Sequence, residues 1–188
     1  LGRFIDEART LGKFEHANVL RVLRYIEANS TAYIIMEYVE GPTLLKLVRD
    51  KQLLDEAELR PILLALIDGL RAVQSHGMLH RDIKPENIVL RGSRTPVLID
   101  FGASREAIGR RGHSVTMMWT PGYAPIEQMS DEGELGPYSD IYALGATAYM
   151  ALVGSPPGDS ASRILQDRTV PAVIAAKDRA SPAFLAAI

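Results

Sequence analysis

The amino-acid sequence predicts an α+β fold in which a small sheet-bearing part precedes a larger, mostly helical part. Three observations predict it. Two β-type runs, Val19 to Glu27 and Ala32 to Val39, flank the turn-forming Ala28-Asn29-Ser30 and read as an antiparallel hairpin. From Thr43 onward the apolar spacing becomes helical. Within that helical part, two short apolar runs, Ile88 to Leu90 and Val97 to Ile99, are joined by residues 91–96 and read as a second hairpin.

Each element has its own signal. Phe4, Ile5, Ala8 and Leu11 recur at helical spacing between Phe4 and Phe14. Glu7 lies only about 40° around that helix from Leu11, at ~100° per residue, so its carboxylate stands beside the apolar stripe. Gly41-Pro42 ends the first hairpin and serves as a linker. Thr43 to Asp50 is a short amphipathic helix. Asp55 to His76 is a long one, with Asp55 as N-cap and Gly77 just past its end. Gly102 to Met129 has little periodicity and carries Gly, Ser, Thr and Pro. A loop of that length inside a compact domain is usually functional or disordered. Asp140 to Val153 is apolar nearly all round and reads as a buried helix. A last helix starts near Ser181-Pro182.

Bulk properties narrow the classes of function. The formal net charge of the 188 residues is -2, which argues against a basic nucleic-acid-binding surface. There is no cysteine. Disulfides, thiolate metal sites and a cysteine nucleophile are therefore excluded, and a reducing, cytoplasmic setting is the expectation. The most apolar stretch, Ile141 to Val153, is too short to span a bilayer and is interrupted by Gly145. The chain starts at Leu1 already in a helical pattern and stops at Ile188 in another, so a fragment of a longer protein is expected.

The densest chemical signal is His80-Arg81-Asp82-Ile83-Lys84-Pro85-Glu86-Asn87, followed eighteen residues after Asp82 by Asp100-Phe101-Gly102. Either motif alone could be a helix cap or a turn. Together, on either side of the second hairpin, they resemble the catalytic loop and metal-binding loop of protein kinases. Phosphoryl transfer needs positioning and charge neutralisation more than covalent help. The resemblance implies that Asp82 orients the acceptor hydroxyl and takes its proton. Lys84 would reach the transferred phosphoryl group, although a solvated surface lysine is the plainer alternative. Asn87 and Asp100 would hold Mg²⁺, which favours hard oxygen ligands and keeps waters beside nucleotide phosphates.

The resemblance to the protein kinase superfamily extends over essentially the whole chain, and within it to bacterial-type serine/threonine kinases. It implies a kinase-like fold, with residues 1–40 as a partial N-lobe running to the hinge and 41–188 as a C-lobe truncated at its C-terminal end. Glu7 matches the helix glutamate that pairs with a strand lysine in the family. Met36-Glu37-Tyr38-Val39 resembles the gatekeeper and hinge, where backbone groups of Glu37 and Val39 would meet adenine, and Val89 resembles the residue beneath the adenine ring. Leu11, Val22, His80 and Phe101 match a hydrophobic column of active kinases. Trp119-Thr120-Pro121-Gly122-Tyr123-Ala124-Pro125-Ile126-Glu127 is close to the activation-segment run of the bacterial enzymes. Thr120 together with Lys84 points to serine/threonine acceptors.

By the same resemblance, Ser114 and Thr116 are candidate phosphorylation sites whose phosphate would meet Arg81. Gly102 completes the metal-binding loop. Asp140 would brace the catalytic loop, though a helix N-terminus favours an aspartate in any case. Glu127 is expected to need an arginine that lies beyond Ile188, which would leave a buried carboxylate unpaired. His16 in His16-Ala17-Asn18 is read as structural.

No G-x-G-x-x-G and no V-A-x-K is present. The phosphate clamp and the lysine partner of Glu7 are missing, so the chain by itself is expected to transfer phosphate poorly while its parent does so well. The expected partners are ATP, Mg²⁺ and protein substrates, with no nucleic acid and no membrane segment. A pseudokinase scaffold and a small-molecule phosphotransferase are the competing readings. The first is opposed by the intact Asp82, Asn87 and Asp100, the second by the activation-segment run.

Overall fold

A computed structural model describes residues 15–29, 31–51, 53–92, 94–101, 119–130 and 133–188. Strands β1 (Val22–Ala28) and β2 (Thr31–Met36) form an antiparallel hairpin that pairs Ala28 with Thr31 and Val22 with Met36. Asn29 makes the turn at φ 53°, a left-handed conformation that asparagine tolerates better than most residues. Both strands are shorter than the β-type runs predict. The reason lies in the backbone of residues 18–20, which finds its partners elsewhere. The Leu20 N–H donates to the Leu98 carbonyl at 2.9 Å, and the Leu98 N–H donates to the Asn18 carbonyl at 2.9 Å. Asn18, itself buried, adds a side-chain bond from Nδ2 to the Pro96 carbonyl at 2.7 Å.

The helical part begins with α1 (Leu44–Lys51) and α2 (Glu56–Ser75). Asp55 caps α2, its Oδ1 accepting from the Glu58 N–H at 2.9 Å, which satisfies one of the orphan donors of the first turn. The stripe Leu59, Ile62, Leu66, Leu70 and Val73 is buried, as the helical period requires. A short 3₁₀ turn, Pro85–Asn87, leads into the antiparallel hairpin of β3 (Ile88–Arg91) and β4 (Thr95–Leu98).

Beyond a second 3₁₀ turn, Ile126–Met129, the long α3 (Pro137–Val153) starts three residues earlier than its sequence pattern suggests. Pro137 at its first position explains the difference, because proline has no N–H to lose there and its φ suits a helix. Eleven of its residues are buried, so α3 is a core helix of the helical part rather than a surface helix. Gly154 ends it at φ 92°, a left-handed position suited to glycine. Short helices α4 (Ser160–Leu165), α5 (Ala172–Ala175) and α6 (Pro182–Leu185) complete the chain. Ser181 caps α6, and its N–H donates to the Glu56 carboxylate at 2.7 Å, clasping the tail onto the start of α2.

One large apolar cluster unites α1, α2, α3, β3 and β4 around residues such as Leu44, Leu66, Ile83, Leu98 and Leu152. A smaller cluster of Leu20, Val39, Val89 and Val97, with Ile99 packed against it, lies where the first hairpin meets the second. The long apolar α3 therefore sits beneath the loops that carry the polar motifs. None of the described helices is long and apolar enough to cross a membrane.

Candidate active site

The loop between α2 and β3 carries residues 80–87, and α3 holds it from below. Both oxygens of the fully buried Asp140 accept from that loop: Oδ2 from the His80 N–H at 3.0 Å and Oδ1 from the Arg81 N–H at 2.9 Å. A buried carboxylate is tolerable when donors surround it. These bonds also hold Arg81 at φ 66°, a strained conformation for a residue with a Cβ. Asp140 thus ties the start of α3 to the backbone of residues 80 and 81.

His80 is fully buried and serves as a connector. Its Nδ1 accepts from the Asp82 N–H at 3.3 Å, and its Nε2 faces the Ile99 carbonyl at 3.1 Å. An N–H can donate only to an unprotonated ring nitrogen, so the ring is neutral with its proton on Nε2. Burial, which disfavours the charged ring, pushes the His80 pKa down against the pull of Asp140 and the Ile99 carbonyl. The ring packs on Phe101 with centroids 4.5 Å apart and planes tilted by 58°. Of the expected hydrophobic column, His80 and Phe101 therefore touch and Val22 is buried. Leu11 lies outside the described residues.

Asp82 stands at the centre. Its Oδ1 accepts from the Thr120 hydroxyl at 2.8 Å. Its Oδ2 meets Lys84 Nζ at 2.7 Å and Asn87 Nδ2 at 2.8 Å. Lys84 Nζ also donates to the Thr120 hydroxyl oxygen at 3.0 Å. Asn87 Nδ2 reaches the Asp82 carbonyl as well, at 2.9 Å. The structure thus brings Asp82, Lys84, Asn87 and Thr120 into one network, and Lys84 is no solvated surface lysine.

Asn87 and Asp100 come together through the second hairpin. Ile88 pairs with Leu98, and the Ile99 N–H donates to the Asn87 carbonyl at 2.9 Å. Asn87 and Asp100 therefore sit at the same end of that hairpin, with Asp100 at φ 62°. With the Asn87 amide nitrogen committed to Asp82, its oxygen is the group left to act as a ligand. Two hard oxygen side chains at one end of a hairpin are a donor set that suits Mg²⁺. Among the described residues no cluster of three or more acidic or histidine side chains offers an all-protein cage.

The hinge residues Met36, Glu37 and Val39 follow β2. The Glu37 N–H donates to the Arg21 carbonyl at 3.0 Å. Its side chain is tied to the Arg21 N–H at 3.2 Å and to Arg91 at 2.9 Å. Val39 and Val89 are buried in the small apolar cluster, while Met36 is exposed.

Glu127 departs from expectation. It is half-buried, not buried, and its Oε1 accepts from the Ser139 hydroxyl at 2.8 Å, so the carboxylate is satisfied without an arginine. Ser139, almost completely buried beside Asp140, is a site residue that sequence reasoning missed. Gln128 is another, its Nε2 donating to the Arg81 carbonyl at 2.7 Å. Their adjacency to Glu127 and Asp140 was the available signal. Glu7, Gly102, Ser114 and Thr116 lie outside the described residues.

Comparison with known proteins agrees with this geometry. A family model described as "Protein kinase domain" matches residues 2–181. The chain is 42% identical over 140 residues to serine/threonine-protein kinase PknA of Nostoc sp., covering 71% of this chain and 24% of the relative. It is 33% identical over 165 residues to serine/threonine-protein kinase C of Synechocystis sp., covering 82% and 30%. It is 32% identical over 169 residues to CBL-interacting protein kinase 1 of Oryza sativa subsp. japonica, covering 87% and 37%. The chain thus spans about a quarter to just over a third of the curated relatives' lengths.

Proposed function

The chain belongs to the protein kinase domain family, and on that premise we propose that the protein carrying it transfers the γ-phosphoryl group of ATP to serine or threonine hydroxyls of other proteins. The observation that carries this reading is the Thr120 hydroxyl on Asp82 Oδ1 at 2.8 Å. The catalytic carboxylate is aimed and spaced to take an O–H, as in-line transfer to an alcohol demands.

The roles proposed are those the family resemblance implies, and the contacts of Asp82, Lys84 and Asn87 support them. Asp82 orients the acceptor hydroxyl and takes its proton as the oxygen bonds to the γ-phosphorus, while the bond from that phosphorus to the β,γ-bridging oxygen breaks and ADP leaves with its electron pair. Lys84, held 2.7 Å from Asp82, offers positive charge to the transferred phosphoryl group. Asn87 and Asp100 would hold Mg²⁺, which would supply charge neutralisation at the phosphates. The Glu37 carbonyl and the Val39 backbone are the hinge groups for adenine, with Val89 against the ring. Arg81 would receive a phosphate carried on Ser114 or Thr116.

Incubation of the full-length protein with labelled Mg-ATP and dephosphorylated casein tests the reading. Transfer to serine and threonine, lost in Asp82→Asn while nucleotide binding persists, supports it. A correctly folded full-length protein that labels no protein acceptor rejects it.

A further inference from the structure

We propose that Gln128 is a positioning residue through which the activation segment sets the orientation of Asp82. The proposal rests on the kinase reading above for its activity readout but not for its structural one. The strained unit is Arg81, at φ 66°. Three bonds fix the two peptide groups around it. Asp140 takes the Arg81 N–H at 2.9 Å, His80 Nδ1 takes the Asp82 N–H at 3.3 Å, and Gln128 Nε2 donates to the Arg81 carbonyl at 2.7 Å. The peptide immediately before Asp82 is therefore pinned at both its N–H and its C=O. Only the C=O contact comes from outside the loop and α3.

Gln128 also belongs to a segment that touches Asp82 a second time. Thr120 meets the Asp82 carboxylate directly at 2.8 Å. Between the two, the Tyr123 and Ala124 N–H groups both donate to the Thr120 carbonyl at 3.1 Å, and the Gln128 N–H donates to the Pro125 carbonyl at 3.1 Å. Residues 120–128 are thus internally bonded and grip Asp82 at the side chain and at the preceding carbonyl. Next to Gln128, Glu127 is anchored by Ser139 at 2.8 Å, one residue from Asp140. The circuit Asp140, Arg81, Gln128, Glu127, Ser139 closes on itself. A shift of the 3₁₀ turn cannot leave the Arg81 carbonyl, and with it Asp82, where it stands.

The test uses the full-length protein and two substitutions of similar size, Q128E and Q128M, neither of which can donate to a carbonyl at neutral pH. Steady-state transfer to casein is measured beside hydrogen–deuterium exchange. The expected result is a kcat lowered about tenfold, the worth of one well-placed hydrogen bond, with the KM for ATP within twofold. Exchange rises severalfold over residues 79–84 and stays unchanged in α2. Unchanged exchange over 79–84 in both variants overturns the proposal. So does exchange that rises across α2 as well, which would make Gln128 merely structural. If the wild-type protein transfers no phosphate, the kinase reading fails, and the exchange data alone decide the role of Gln128.

Discussion

Asp140 holds Arg81 by its backbone, accepting the N–H at 2.9 Å while Arg81 sits at φ 66°. The same carboxylate takes the neighbouring His80 N–H at 3.0 Å. Asp140→Asn keeps the shape but replaces one acceptor by an NH₂ that faces an N–H. Each charge-assisted bond contributes about 1.5–3 kcal/mol. We expect kcat to fall on the order of 100-fold, as that much transition-state positioning is lost, and thermal denaturation to move several degrees lower. A variant with wild-type kcat would show that the loop keeps its conformation without this brace.

Thr120 sits between Lys84 and Asp82, accepting from one and donating to the other. Thr120→Val removes the hydroxyl at nearly constant volume and should lower kcat by roughly 10- to 100-fold, within the range of a lost catalytic hydrogen bond. Thr120→Ser keeps the hydroxyl and should stay within a fewfold of wild type. Equal losses in both would assign the effect to packing of the methyl group.

His80 is neutral and buried, with its pKa pushed below the free value. The unfolded chain takes up a proton at this residue below about pH 6.5, while the folded chain resists doing so. Stability from His80 is therefore complete above about pH 6.5 and declines as the pH falls toward the lower folded value. Imidazole NMR should show one ring that stays neutral, protonated on Nε2, well below pH 6.5. A buried ring titrating at 6.5 or above would contradict this.

Gly41 adopts φ 153°, and a Cβ there would collide with the Leu90 carbonyl oxygen. Gly41→Ala forces the hinge away from β3. The backbone strain costs about 1–3 kcal/mol, and displacement of Val39 from its cluster adds to it. Chemical denaturation should show a lower midpoint, and ATP affinity should weaken more than kcat. Unchanged denaturation would mean that the hinge relaxes freely at this point.

Much of this molecule was written locally. The helical period of Leu59, Ile62, Leu66 and Leu70, the Asp55 cap and the two hairpins follow from side-chain spacing and turn chemistry alone. Asp82, Lys84, Asn87 and Asp100 are singled out instead by the resemblance of two polar motifs, in that order and at that spacing, to the loops of protein kinases. Boundaries were less legible. Residues 18–20 look like part of a strand with β2, but their backbone bonds go to Asn18–Leu98 and Leu20–Leu98 pairs that no local pattern encodes.

Only the tertiary structure decided what holds the site. Periodicity showed α3 to be buried, but not that Asp140 at its start would reach two N–H groups some sixty residues earlier in the chain. For Ser139 under Glu127 and Gln128 on Arg81 the sequence offered only adjacency to Asp140 and Glu127, not the partners they reach. A polar side chain's partner is set by where distant backbone groups fall once the core has packed, and that information is distributed over the whole chain. The polar motifs are short and stand out when read together along the sequence. The contacts that hold them, from Asp140, Ser139 and Gln128, are set by geometry, and their partners appear only when the chain has folded.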